Sequence, residues 1–101
     1  MKKIYLSGKI SGLSVQEYSH NFADAERQVR LRYQDEELEI VNPTALPAVH
    51  TSWADYMLRD LMLLKDCNVI ALLPNWKDSA GARIEYEFAQ MCGIEVVCLN
   101  V

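Results

Sequence analysis

The chain has 101 residues, which suffices for one domain with one core, residues 1–101, and leaves no room for a second unit. Half of its residues are hydrophobic and 24% are charged, a balance that excludes a disordered or membrane-embedded chain. The net charge of −4 excludes a general attraction to nucleic-acid backbones or anionic membrane surfaces.

The apolar pattern alternates between short and helical periods. Lys3 to Ser7 reads as a strand, followed by the small-residue loop Ser7-Gly8-Lys9-Ile10-Ser11-Gly12. Tyr18, Phe22, Ala25, Val29 and Tyr33 recur at helical spacing and predict a helix from about Val15 to Tyr33. Arg27, Arg30 and Arg32 fall on its solvated face. Glu39 to Val41 is a short strand closed by Asn42-Pro43, and the stretch to Thr51 is loop. A helix over Ser52 to Asp66, a strand over Asn68 to Leu73 and a loop over Pro74 to Asp78 follow. A helix from about Ser79 to Cys92 stops at Gly93, a residue type favoured just past helix ends. Glu95 to Leu99 is the last strand.

The order βαβαβαβ predicts an α/β fold: a parallel sheet covered by helices on both faces, a three-layer α/β/α arrangement of the Rossmann or flavodoxin-like kind. Right-handed crossovers give the strand order 2-1-3-4. Ligands in such sheets settle at the carboxyl ends of the strands where the winding reverses, here between the loops after strands one and three. The longest apolar runs, such as Val69 to Pro74, are too short to span a bilayer, and Met1-Lys2-Lys3 leads into too few apolar residues for a signal peptide. The cytoplasm is the expected compartment. Cys67, Cys92 and Cys98 lack motif spacing and read as free buried thiols. His20 and His50 are far apart, so no metal-ligand pattern is visible.

Three positions stand out. In the Ser52–Asp66 helix, Trp53, Tyr56, Met57, Leu61 and Leu64 form one apolar stripe, and Asp60 falls near its middle at about 100° per residue. A carboxylate there is desolvated unless paired; it is either a working acid or half of an ion pair or hydrogen bond closing a gap in the core. In the last helix, Ile84, Phe88, Met91 and Cys92 read as the buried stripe, and Glu85 lies about 65° from its centre. Its side chain leans back over Gly81, which leaves space for a ligand, while the helix start favours the ionised form. A positioned, ionised carboxylate suits covalent attack on a sugar carbon; a surface glutamate is the plain alternative. Tyr5, at the end of strand one, either reaches a carboxylate through its hydroxyl or is a core aromatic. Gly8 and Gly12 allow close approach of a ligand but lack the dinucleotide fingerprint. Lys9 faces an anionic group or water. Asp78 or Ser79 can cap the last helix, whose free N–H groups favour an anion. Cys67 has no basic partner that would make it a nucleophile.

Ile4-Tyr5-Leu6-Ser7-Gly8-Lys9-Ile10-Ser11-Gly12, then Arg59-Asp60-Leu61 through Cys67-Asn68-Val69-Ile70, then Ser79-Ala80-Gly81 with Glu85 and Ala89, together resemble the nucleoside 2-deoxyribosyltransferase superfamily. The likeness is nearest to its small, functionally unassigned phage and bacterial members, with His50, Trp53 and Tyr56 ahead of Arg59-Asp60 and with Leu73-Pro74 followed by Trp76. The chain also resembles 2′-deoxynucleoside 5′-phosphate N-hydrolases. The resemblance implies that Glu85 of the Gly-x-x-x-Glu motif is the nucleophile, that Asp60 handles the proton of the leaving base, that Tyr5 orients the nucleophile and that Ser79 contacts a phosphate. Gly8, Lys9, Ser79 and Gly81 would contact the substrate, although Lys9 and Ser11 stand where the nucleotide hydrolases carry serine and arginine. It further implies a nucleoside or nucleotide as partner rather than a nucleic-acid polymer or membrane, a homodimer or higher homo-oligomer, and no cofactor or metal. The reaction expected is cleavage or transfer of an N-glycosidic bond through a glycosyl-glutamate; the alternative is a non-catalytic nucleotide-binding or sensing module.

Overall fold

The computed structural model describes residues 1–48 and 52–100, so that His50 and Thr51 lie outside the described residues. The elements follow the predicted order: β1 (Lys2–Ser7), α1 (Val15–Arg32), β2 (Leu38–Val41), α2 (Trp53–Leu64), β3 (Val69–Leu72), α3 (Ala80–Met91) and β4 (Glu95–Cys98). Short 3-10 turns occupy Pro43–Ala45 and Trp76–Asp78, within stretches that the sequence marks as loop. The sheet runs β2-β1-β3-β4 with every pair parallel, a Rossmann-like fold.

Side chains of a strand alternate between the faces of its sheet. Ile4 and Leu6 therefore point to one side, where they pack with Phe22, Ala25 and Val29 of α1. Tyr5 points to the other, into a cluster with Leu64 at the end of α2, Ile70 and Leu72 of β3, and Ala89 of α3. All four residues of β3 are buried, as a central parallel strand covered on both faces requires. Helix starts are fixed locally: Ser14 and Ser52 each close a reciprocal capping box, with Glu17 and Asp55 respectively. Gly93, at φ +73, takes the left-handed conformation just after α3. Among the described residues no helix is long and apolar enough to cross a membrane.

The structure corrects the predicted face of α3. Its buried residues are Ala82, Glu85 and Ala89, whereas Ile84 is 41% exposed, Met91 is 88% exposed and Cys92 is exposed as well. The helix sits on the sheet through small residues, which allow close approach, and these score low in any hydrophobic pattern. Trp53 is likewise 54% exposed, being the first residue of α2 and not part of its buried stripe, which is Met57, Asp60 and Leu64. Of the cysteines only Cys67 is buried; Cys92 ends α3 and Cys98 lies on the edge strand β4, both exposed.

Candidate active site

β1 ends against β3 with Ser7 paired to Leu72, and Tyr5 and Ser7, two residues apart, share the face that α3 covers. α3 begins where the chain leaves the second 3-10 turn. Ser79 caps it, its Oγ accepting from the Ala82 N–H at 3.1 Å, and the second turn of the helix brings Glu85 over the end of β1. The Tyr5 hydroxyl donates to Oε2 of Glu85 at 2.6 Å and the Ser7 hydroxyl donates to Oε1 at 2.7 Å. Each carboxylate oxygen is thus held by one hydroxyl from the same strand.

Glu85 is 5% exposed, and among the described residues no lysine or arginine pairs with it. Burial pushes its carboxyl up to about 7; the Tyr5 and Ser7 hydrogen bonds oppose that rise, and the charge of Asp60 adds to it. The helix start was expected to favour the ionised form of Glu85; burial acts in the opposite sense and is the largest influence on this carboxyl. The Tyr5 phenol is driven far above its ordinary value by burial and by the charges of Glu85 and Asp60, which favours its role as a hydroxyl donor.

Asp60 is 8% exposed, and the ion pair that the sequence offered as one of its two readings is present. The Arg59 guanidinium donates to Oδ1 of Asp60 through Nε at 3.1 Å and Nη2 at 3.0 Å. Even so, burial raises its carboxyl above the usual range against the pull of Arg59. It also opens onto the same cavity as Glu85. That cavity measures about 580 Å³ and is lined by both acids together with Gly8, Lys9, Ser79 and Gly81. The size falls within the roughly 300–1,000 Å³ of small-molecule sites. Tyr5 is absent from the lining and stands behind the Glu85 carboxylate.

The glycines have packing reasons of their own. A Cβ on Gly8 would come within 2.8 Å of the Leu73 Cβ and Cδ2, so glycine is what allows the turn after β1 to lie against the end of β3. A Cβ on Gly81 would meet the Met57 sulfur at 3.2 Å, so the space expected above Glu85 is bounded by the thioether of α2. The Lys9 backbone N–H donates to Oδ1 of Asn75 at 3.1 Å, tying the first loop to the one after β3. Two of these contacts are not singled out by the sequence: Ser7 is marked only by lying two residues from Tyr5 on one strand face, and nothing local marks the contact of Arg59 with Asp60. Among the described residues no group of three or more His, Cys, Asp or Glu side chains is placed to hold a metal ion.

The family described as Domain of unknown function (DUF4406) matches residues 2–98. The chain belongs to that family. No curated protein has a matching sequence. Solved structures that share the fold include these two. One is a 2-desoxiribosyltransferase from Leishmania mexicana, with a TM-score of 0.65 and 16% identity over 98% of this chain and 64% of that one. The other is a conserved protein from Enterococcus faecalis V583, with a TM-score of 0.67 and 21% identity over 100% of this chain and 64% of that one. The DUF4406 chain thus spans a little under two thirds of the length of each.

In chemical terms this DUF4406 site sets two carboxyls of unlike environment at one cavity. Glu85 is held by neutral hydroxyls, Asp60 by a guanidinium. Burial raises both carboxyls, opposed at Glu85 by the Tyr5 and Ser7 hydrogen bonds and at Asp60 by Arg59. A carboxylate fixed through one hydrogen bond per oxygen keeps further lone pairs for an electrophile in the cavity.

Proposed function

We propose that the chain cleaves the N-glycosidic bond of a nucleoside or nucleotide, or transfers its glycosyl group, with Glu85 as the nucleophile. The observation that carries this reading is the buried Glu85 carboxylate, bound by the Tyr5 and Ser7 hydroxyls, free of any cation among the described residues, and opening with Asp60 onto one cavity. The fold shared with a protein named as a 2-desoxiribosyltransferase supports it.

In the first step a Glu85 oxygen bonds to C1′ of the sugar while the bond from C1′ to the base nitrogen breaks. The electron pair leaves with the base, which takes a proton from Asp60. Tyr5 and Ser7 hold the attacking group in a fixed pose, which lowers the entropic part of the barrier. In the second step water, or the nitrogen of another base, attacks C1′ from the side the first base left. Asp60 accepts the proton of that nucleophile, and the ester to Glu85 breaks. Two inversions retain the configuration at C1′. Lys9 and Ser79, with the backbone at Gly8 and Gly81, line the cavity where the rest of the sugar or a phosphate would rest.

The test is release of free base from the common deoxynucleosides and their 5′-monophosphates by the purified protein. Glu85→Gln should lower the rate by about 1,000-fold or more while melting as a folded protein. Unchanged turnover in that variant rejects the assignment. Binding of a nucleotide by calorimetry with no base released across the whole panel would point to the sensing module instead.

A further inference from the structure

Neighbours in sequence project about 100° apart on a helix and do not face each other. Arg59 nevertheless folds back onto Asp60, and both of its contacts there, from Nε and from Nη2, fall on the single oxygen Oδ1. Its remaining nitrogen, Nη1, donates to the carbonyl of Pro47 at 2.8 Å. The guanidinium carbon lies 5.2 Å from the centre of the Tyr56 ring, and the side chain is only 23% exposed. Pro47 sits between Leu46 and Ala48, both of which line the cavity. One cation thus grips the acid and a stretch of the cavity wall together.

We propose that Arg59 is the positioning residue for proton delivery: its two donors occupy Oδ1 of Asp60, so that Oδ2 carries the proton given to the leaving base, and its third donor anchors the wall at residues 46–48 to that acid. The inference rests on the glycosidic reading above. A proton on Oδ1 would point into two N–H donors, whereas Oδ2 is left clear of the guanidinium. When the bond from C1′ to the base breaks, the base nitrogen takes the Oδ2 proton and Asp60 becomes a carboxylate, the form the guanidinium stabilises. The groups facing Asp60 are Arg59 on its own helix, Tyr5 from β1 and Glu85 from α3, and Arg59 is the cation among them. The function needs a planar fork: a lysine ammonium presents one point charge and cannot place two parallel donors on one oxygen while holding a third partner.

Arg59→Gln and Arg59→Lys test the proposal through three readouts: base release from the deoxynucleosides and their monophosphates, release of nitrophenolate from a 4-nitrophenyl deoxyriboside, whose leaving group departs without a proton, and an NMR titration of the Asp60 carboxyl. Both variants should lose about 10- to 100-fold in kcat on the nucleosides and about threefold or less in kcat on the nitrophenyl substrate, while KM rises alike for both substrates because the wall at residues 46–48 loses its anchor. The Asp60 midpoint should rise in the glutamine variant, because the cation that favours its ionised form is gone. Equal losses on both substrates, full rescue by lysine, or an Asp60 midpoint that does not move each overturns the proposal. The lysine variant keeps the test decisive should the glutamine variant fail to fold. A wild-type protein that releases no base at all sinks the glycosidic reading instead, and the Asp60 titration then still decides whether Arg59 holds that carboxyl.

Discussion

Glu85 shows how a single buried carboxyl is tuned by its neighbours. Its oxygens accept from Tyr5 at 2.6 Å and from Ser7 at 2.7 Å, and hydrogen bonds to the charged form favour ionisation while burial opposes it. In Tyr5→Phe the desolvation persists and one stabilising donor disappears. A hydrogen bond to a charged group contributes about 1.5–3 kcal/mol, so the Glu85 midpoint should rise from about 7 by roughly 1–2 pH units. In the proposed reaction attack requires the carboxylate, so activity should fall as pH drops through that midpoint, and the acid limb of the kcat/KM profile should move to higher pH in the variant. A profile that scales down without moving would mean that Tyr5 acts on the substrate and not through Glu85.

At the level of elements, α3 joins support to site, since Ser79 both caps the helix and lines the cavity. Removing a serine cap costs about 0.5–2 kcal/mol. Ser14 offers the control: it caps α1 through a comparable bond, accepting from the Glu17 N–H at 3.1 Å, and it is not part of the cavity lining. Ser79→Ala and Ser14→Ala should therefore lose similar stability in urea unfolding, while Ser79→Ala alone raises KM. Equal KM values in the two variants would limit Ser79 to its capping role. The buried face of the same helix runs against its hydrophobic pattern for a physical reason. Ala82 and Ala89 bring α3 close to the sheet, and a polar Glu85 lies between them, so the buried side is less apolar than the side bearing Ile84 and Met91.

The molecule as a whole carries the consequence of enclosing an acid. The Glu85 carboxyl has an ordinary value of 4.5 when unfolded and about 7 when folded, so between those pH values the folded protein holds a proton that the unfolded chain has released. Stability therefore falls as pH rises through that window and levels off above about pH 7. At about 1.4 kcal/mol per pH unit, the loss attributable to Glu85 is roughly 3 kcal/mol. Asp60, raised by burial as well, adds to the same slope. Glu85→Gln removes the Glu85 part, and should be more stable than wild type by about 1–3 kcal/mol at pH 8 with little gain at pH 4.5, measured by urea unfolding at the two pH values. A wild-type curve flat between pH 4.5 and 8 would show that the carboxyl is not desolvated.

The sequence by itself determined the elements and their order in the sheet, because alternation, helical spacing and a helix stop such as Gly93 are local signals and crossover handedness leaves few ways to arrange four parallel strands. It also singled out Asp60 as an acid set in an apolar stripe, and Tyr5 and Glu85 as candidates for one crevice. Only the tertiary structure decided that Glu85 is the centre of the buried face of α3, that Ser7 shares it with Tyr5, and that Arg59 links Asp60 to Pro47. Those contacts join residues 12 to 80 positions apart, or adjacent residues against the natural divergence of a helix. They depend on how closely α3 settles on the sheet and where the guanidinium folds, which are outcomes of three-dimensional packing that no local periodicity encodes.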